Sequence, residues 1–454
     1  FVINPATEKS VGVISMGTEA DVDSAATAAR YALDSYGYSS REDRLALLRR
    51  ILDRFDAHSE ELARRITLEM GSPITFSREA QVAGSRAHIV EIIRTLEELD
   101  LEQQAGRTIL AYEPIGVCSL ITPWNFPIWQ IVTKVMPALA AGCSIILKPS
   151  EYAPLSPILF AQILHEAGVP KGVFNLINGD GATVGNAMSR HRFVDMVSFT
   201  GSTRAGIQVA KNAADTIKRV HQELGGNSPN ILLPGVDLED SVPKGVLGAY
   251  RNAGQSCTAP MRMLVPSNLY GRAVEIAKAA AETVLVGDIF DEATTLGPLV
   301  NEKQLERVRA LISSGIHEGA RLLTGGADRP FGLESGYYVA PTVFADVSPS
   351  MTIAQEEIFG PVVSLIPYDG VDHAIEIANN TPYGLAAYLQ TEDLALARRV
   401  ASRVRAGQVL ANYPEWDPAA PFGGYKQSGN GREYGKFGLE AFLEVKAIGG
   451  FVDA

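Results

Sequence analysis

The chain has 454 residues, 46% of them hydrophobic and 20% charged, with a formal net charge of −12. That length calls for at least two hydrophobic cores, and the composition is too apolar for disorder. The acidic balance and the lack of a basic stripe argue against nucleic-acid or anionic-membrane partners.

Read from the N-terminus, the sequence opens on Phe1 and a turn-rich NPATEKS, so preceding sequence is expected. Residues 20 to 105 read as helical, because TEADVDSAATAARYALDSY and REDRLALLRRILDRFDAHSEELARRITLEMG place apolar residues at three- and four-residue steps. From Ile115 short β-branched runs (GVCSLIT, SIILKPS, GVFNLIN, DMVSFTG) alternate with helical stretches such as PIWQIVTKVMPALAAG and TRAGIQVAKNAAD. This alternation predicts a parallel, doubly wound sheet with ligands at the carboxyl ends of its strands, where TPWN, KPSE and FTGS fall. The longest apolar run, 128–147, is broken by Gln130, Lys134, Pro137 and Gly142 and falls short of the roughly 18 uninterrupted residues of a membrane helix.

A second alternating region, about 228–424, has strands predicted at MRMLVP, PTVFADV, VVSLIPY and GQVLAN, and gives a second α/β lobe. The tail GLEAFLEVKAIGGFVDA ends in an alternating strand. With GRTILAYEPIG it forms either a small sheet extended by a partner subunit or an edge on its own chain.

Cys118, Cys143 and Cys257 are widely spaced and cluster with none of the seven histidines, so no disulfide framework and no metal site are expected, and a reducing, cytoplasmic setting fits. Cys257, in NAGQSCTAPMR, sits among small polar residues that let backbone N–H groups approach its sulfur, as a nucleophile requires, although a free cysteine is commonly an inert small hydrophobe. Glu223, in HQELGGN, ends a predicted strand before paired glycines. It is either a desolvated general base or a glutamate before a turn.

Asn125, between aromatics in TPWNFP, is a candidate oxyanion donor. Gly201 and Gly206 in FTGSTRAG suit a pyrophosphate at a helix start, or a simple tight turn. Lys148 and Glu151 in KPSE either reach ribose hydroxyls or form a solvated loop. Glu357 and Phe359 in QEEIFGP are aimed at a ligand from glycine-rich surroundings.

Taken in order, PWNFP, KPSE, FTGS, ELGG, GQSC, EEIFGP and PFGGYKQSGNGRE resemble the NAD(P)-dependent aldehyde dehydrogenase superfamily over essentially the whole chain. The resemblance implies an α/β fold of two doubly wound lobes, a Rossmann-like cofactor domain (1–95 and 115–224) and a catalytic domain (225–427), plus a small β oligomerisation arm (96–114 and 440–454). It implies that Cys257 attacks an aldehyde, that Asn125 and the Cys257 N–H hold the oxyanion, that Glu223 activates water against the thioester, and that Glu433 assists nearby. NAD, with NADP as the other candidate, would lie against Thr122, Pro123, Trp124, Lys148, Ser150, Glu151, Gly201, Ser202, Leu224, Glu357 and Phe359. Glu151 favours NAD, since a carboxylate bonds a ribose 2′-OH and repels a 2′-phosphate.

Substrate-facing positions are Phe126, Gln130, Ser256, Thr258, Trp416 and Phe422. Trp129, Trp416 and Phe422 would wall a tunnel for a medium-sized apolar or aromatic aldehyde, with no arginine at those positions to clamp a carboxylate. Asn227 stands where many relatives carry lysine. A homodimer or homotetramer is implied. The competing readings are a coenzyme A-acylating dehydrogenase, disfavoured by Glu223, and an NAD-independent cysteine esterase or hydrolase, which would leave FTGS, KPSE and EEIFGP without purpose.

Overall fold

Five parallel strands stand in the spatial order Arg219–Glu223, Met196–Thr200, Val117–Ile121, Ser144–Lys148, Phe174–Leu176, with the short strand Gly429–Asn430 added antiparallel beside the first. The chain enters at Val117–Ile121, winds outward on one side and then crosses back to Met196–Thr200, so these two neighbours mark the switch point of a doubly wound sheet. Every residue of the three central strands is buried. Helices cover both faces, which is why these strands read as continuous apolar runs instead of alternating. The computed structural model describes residues 1–451; positions 452–454 of the expected arm lie outside the described residues.

A second sheet of seven strands has the order Arg321–Gly326, Ala340–Ala345, Val362–Tyr368, Arg262–Pro266, Pro229–Leu232, Ala386–Gln390, Gln408–Ala411, parallel except for its first pair. The four strands predicted in this region are all present. Arg321–Gly326, Pro229–Leu232 and Ala386–Gln390 add to them. The core of this sheet and that of the first are separate clusters of buried side chains, as expected of a chain too long for one interior.

A third sheet pairs Leu443–Gly449 with Thr108–Pro114, and that strand with Glu102–Ala105, all antiparallel. The C-terminal strand thus lies on its own chain, at one edge of this sheet. The helical reading of 20–105 needs one correction: helix ends at Glu98, and Glu102–Ala105 is extended because it hydrogen-bonds to Thr108–Pro114 across a tight turn. Among the described residues, no helix is long and apolar enough to cross a membrane.

Candidate functional site

Residues 224–228 carry the chain directly from the carboxyl end of Arg219–Glu223 to the amino end of Pro229–Leu232. The crevice beside this link therefore collects the carboxyl-end loops of the first sheet and the amino-end loops of the second. Gly225 and Gly226 permit the approach: a Cβ on Gly226 would lie 2.3 Å from the Cys257 carbonyl oxygen, and one on Gly225 would lie 2.3 Å from a Glu357 carboxylate oxygen. Neither position accepts a side chain without displacement.

Cys257 is half-buried and packs against the small cluster of Leu385, Phe422 and Tyr434. The turn ahead of it holds Asn252 and Ala253 in left-handed backbone at φ 56° and 55°, conformations that non-glycine residues keep only where the surroundings enforce them. The enforcement is visible. The Asn252 amide donates to the Asn125 carbonyl at 2.8 Å, the Gln255 amide donates to the Asn252 carbonyl at 3.1 Å, and the Val300 N–H donates to Gln255 Oε1 at 3.0 Å. Asn125 Nδ2 in turn donates to the Gln255 carbonyl at 3.0 Å, which orients the amide and leaves its second hydrogen free. Burial pushes the Cys257 thiol up, and the carboxylates of Glu357, Glu223 and Glu433 push it further.

Glu223 is 2% exposed, and its Oε2 has no hydrogen-bond partner. Its Oε1 lies 3.4 Å from His221 Nε2, whose pKa burial holds down near 3, so that imidazole is neutral. Burial raises the Glu223 carboxyl well above the ordinary range, and the nearby Glu433 charge adds to this against the opposing pull of Lys134 and Arg432. Glu433 is placed by two backbone bonds with Phe422, at 2.9 and 2.7 Å, and forms a buried ion pair with Lys134, whose ammonium also donates to Ser198 Oγ at 3.1 Å.

On the cofactor side, the loops leaving the switch point carry Thr122, Pro123 and Trp124 on one strand and Gly201 and Ser202 on its neighbour. The Trp124 and Phe359 rings meet edge to face at 5.5 Å, which brings two widely separated motifs together. Ser202 caps the helix Thr203–Ala213, and Leu224 packs beneath it against Gly206. Glu357 Oε1 accepts from the Gly226 N–H at 2.9 Å, and burial pushes that carboxyl up to about 7. Ser150 and Glu151 follow the next strand, where Lys148 Nζ donates to the carbonyls of Gly179 at 2.6 Å and Pro149 at 2.8 Å and faces Glu151 at 3.4 Å. Thr122 Oγ1 and Thr200 Oγ1, at the ends of the two switch-point strands, are buried without partners.

Of the three aromatics expected to wall a tunnel, two meet and the third packs elsewhere. Trp129 and Trp416 lie 4.9 Å apart, but Phe422 stacks instead on Tyr434 at 5.0 Å, and Trp129 Nε1 donates to the Tyr434 hydroxyl at 3.1 Å. His88 fills the space between, 4.1 Å from Tyr434 and 4.9 Å from Trp416. Phe126 closes the wall 6.1 Å from Trp129, and Gln130 is buried on the same helix. Ser256 Oγ and Thr258 Oγ1 flank the thiol 3.2 Å from each other. Sequence reasoning passed over Lys134, Tyr434 and His88. The signal for Lys134 was a cation inside an otherwise apolar run; His88 gave none.

The sequence model of the aldehyde dehydrogenase family matches residues 1–448. A 3-succinoylsemialdehyde-pyridine dehydrogenase of Pseudomonas sp is 50% identical, with 99% of this chain and 94% of that protein covered. A cysteine-to-alanine variant of aldehyde dehydrogenase C from Pseudomonas syringae, solved with NAD+ and octanal, superposes with a TM-score of 0.99 at 54% identity, covering 100% of this chain and 93% of that one. An aldehyde dehydrogenase of Bartonella henselae gives 0.97 at 47% identity, covering 99% and 95%.

Proposed function

Because the chain belongs to the aldehyde dehydrogenase family, we propose that it oxidises an aldehyde to the carboxylic acid with NAD, through a thioester on Cys257 that Glu223 helps water to hydrolyse. The observation that carries this reading is the convergence on one crevice of a half-buried thiol, an oriented amide at Asn125 and a buried, unpartnered carboxyl oxygen at Glu223.

The Cys257 sulfur adds to the aldehyde carbon and gives a thiohemiacetal, whose oxyanion accepts from the free Asn125 amide hydrogen and the Cys257 N–H. The thiol proton passes to the Glu223 carboxylate as the bond forms, since burial and three carboxylates disfavour a standing thiolate, and Glu223 releases it to solvent before hydrolysis. NAD, when bound, supplies the hydride acceptor. Glu223 then takes a proton from the attacking water, acting as base in its ionised form, and the C–S bond breaks, which leaves the sulfur on Cys257 and releases the acid. Glu433, fixed by Lys134, holds negative charge close by and keeps the Glu223 carboxyl basic.

The residues present fit the dinucleotide. Unpartnered hydroxyls at Thr122 and Thr200 stand at the switch point, and a capped helix begins after Ser202. Lys148 and Glu151 would hold the adenosine ribose. The Glu151 carboxylate, 3.4 Å from the Lys148 ammonium, would bond a ribose 2′-OH and repel a 2′-phosphate, which favours NAD. Glu357, with Phe359, would hold the nicotinamide end.

The aromatic wall fits a medium-sized apolar or aromatic aldehyde, in keeping with the octanal bound to the Pseudomonas syringae enzyme and the pyridine compound named for the Pseudomonas sp relative. Assembly into a homodimer or homotetramer through the three-stranded sheet, in a reducing cytoplasm that suits three free thiols, completes the proposal. Measuring NADH formation from octanal and benzaldehyde, with and without coenzyme A, tests it. Turnover independent of the thiol cofactor is expected; strict dependence on it, or ester hydrolysis without NADH, would overturn the reading.

A further inference from the structure

The strand Arg219–Glu223 sends alternate side chains to opposite faces, so His221 and Glu223 share one face. Gln222 takes the other, where its amide donates to the Gly206 carbonyl at 2.5 Å. The His221 imidazole is 4% exposed and closely confined. On the neighbouring strand Ser198 stands level with it and accepts from the Lys134 ammonium at 3.1 Å. On the other side Gly429 and Asn430 pair with Glu223 and Gln222, and Gly431 follows with φ 84°. A Cβ on Gly431 would lie 2.4 Å from His221 Cδ2 and 2.7 Å from Nε2, so backbone that only glycine suits presses directly on the ring.

The carboxylate is confined from the same loop. A Cβ on Gly423 would lie 2.7 Å from Glu223 Oε1. Oε1 is therefore held between the Gly423 backbone and His221 Nε2, 3.4 Å away, while Glu223 Oε2 and His221 Nδ1 are both buried without partners. These orphaned atoms select the tautomer. A proton on Nδ1 would bury an unsatisfied donor and turn the Nε2 lone pair onto a carboxylate oxygen; a proton on Nε2 donates to Oε1 and leaves only an acceptor unpaired.

Glu223 is faced by Glu433, Arg432 and Tyr434 from the segment 421–434, by Lys134 from the helix Pro127–Ala141 and by Cys257 from its turn. Burial first, then Lys134 and Arg432, keep the His221 ring uncharged. The imidazole thus supports the carboxylate as a fixed neutral donor and does not itself titrate as Glu223 gains and loses its proton.

We propose that His221 is a positioning residue for the base: it donates from Nε2 to Glu223 Oε1, holds that oxygen against the Gly423 backbone and so turns Oε2 toward the reacting water. This role rests on the oxidation reading given above, in which Glu223 is the base. A bond donated to the carboxylate favours its ionised form, so His221 opposes the effect of burial and Glu433 and keeps Glu223 in service at lower pH.

Steady octanal oxidation, followed as NADH from about pH 6 to about pH 9, tests this in the wild type, His221→Gln, His221→Asn and Gly431→Ala. Glutamine carries its amide nitrogen where the imidazole has Nε2, whereas asparagine carries it where the ring has the unpartnered Nδ1. His221→Asn should move the rising limb of kcat up by about one pH unit and lower kcat about ten-fold below that limb. This is the small end of what a hydrogen bond to a charged group brings, in keeping with its 3.4 Å length. His221→Gln should restore most of the loss. Gly431→Ala keeps the imidazole but displaces it, so it should repeat the shift, and it decides the matter if His221→Asn folds poorly; NAD binding reports the folding of each variant. A shift of equal size in His221→Gln and His221→Asn, or no shift in any variant, overturns the assignment. Glu223→Gln, measured alongside, separates the two readings: if it loses steady turnover while the His221 and Gly431 variants keep the wild-type profile, the role of His221 alone falls, and if it turns over unchanged, both fall.

Discussion

Asn125 donates one of its two amide hydrogens to the carbonyl of Gln255, two residues ahead of the thiol, at 3.0 Å. The bond makes the amide a rigid part of the Cys257 turn, so in the proposed mechanism its second hydrogen would serve the oxyanion without reorganisation. Replacing Asn125 by alanine should lower kcat about 100-fold or more while leaving NAD binding nearly intact, as removal of one preorganised oxyanion donor does elsewhere. Tryptophan-fluorescence titration with NAD beside steady-state kinetics separates the two effects.

Glu223 is expected to set the pH dependence of turnover. Its carboxyl is raised by burial and by Glu433, so the protonated form persists well above the ordinary carboxylate range and the base form grows as pH rises. Where hydrolysis limits the rate, kcat should climb with pH through that raised value. Glu223→Gln should keep a first-turnover burst of NADH and lose steady turnover. An unchanged steady rate would remove Glu223 from the mechanism.

Stability should follow the opposite slope. Glu69 receives the N–H groups of Leu155 and Ser156 at the start of the helix Leu155–Glu166, yet burial outweighs these bonds and raises its carboxyl to about 7, as burial does for Glu357. An acid whose folded pKa exceeds its unfolded value of 4.5 contributes stability that is complete below 4.5 and lost as pH rises through about 7. Urea unfolding across this window should show the wild type losing stability relative to Glu69→Gln as pH rises. Glu69→Gln should flatten part of the slope.

The Lys134 and Glu433 pair is buried at 1% and 3% side-chain exposure. Lys134→Met alone strands a carboxylate in the interior and should cost about 3–5 kcal/mol of stability. Combining it with Glu433→Gln removes the uncompensated charge and should recover much of that loss, because buried pairs break even against well-packed neutral groups. Urea unfolding of the two single variants and the double variant completes the cycle.

What could be read from sequence and what could not divides on physical lines. Val117–Ile121, Ser144–Lys148 and Met196–Thr200 were legible because sheets covered on both faces need uninterrupted apolar strands. Pro229–Leu232 begins on proline and asparagine, and Ala386–Gln390 is rich in alanine; both become strands through neighbours already in the sheet. Glu102–Ala105 has no apolar alternation, and its pairing with Thr108–Pro114 makes it extended. Cys257, Glu223 and Asn125 stood out because glycine and proline around them mark backbone built for close approach. Lys134 did not, since it gains its meaning from a residue far away in the chain, Glu433.

The central claim is that the Cys257 sulfur becomes acylated during oxidation and that Glu223 is needed to release the acid. Peptide mass spectrometry of Glu223→Gln, quenched after one turnover with octanal and NAD, tests this most directly. An octanoyl group on the peptide containing Cys257, absent when NAD is withheld, is the predicted result. An unmodified Cys257 after a full burst of NADH, or the acyl group on Cys118 or Cys143 instead, would contradict the account.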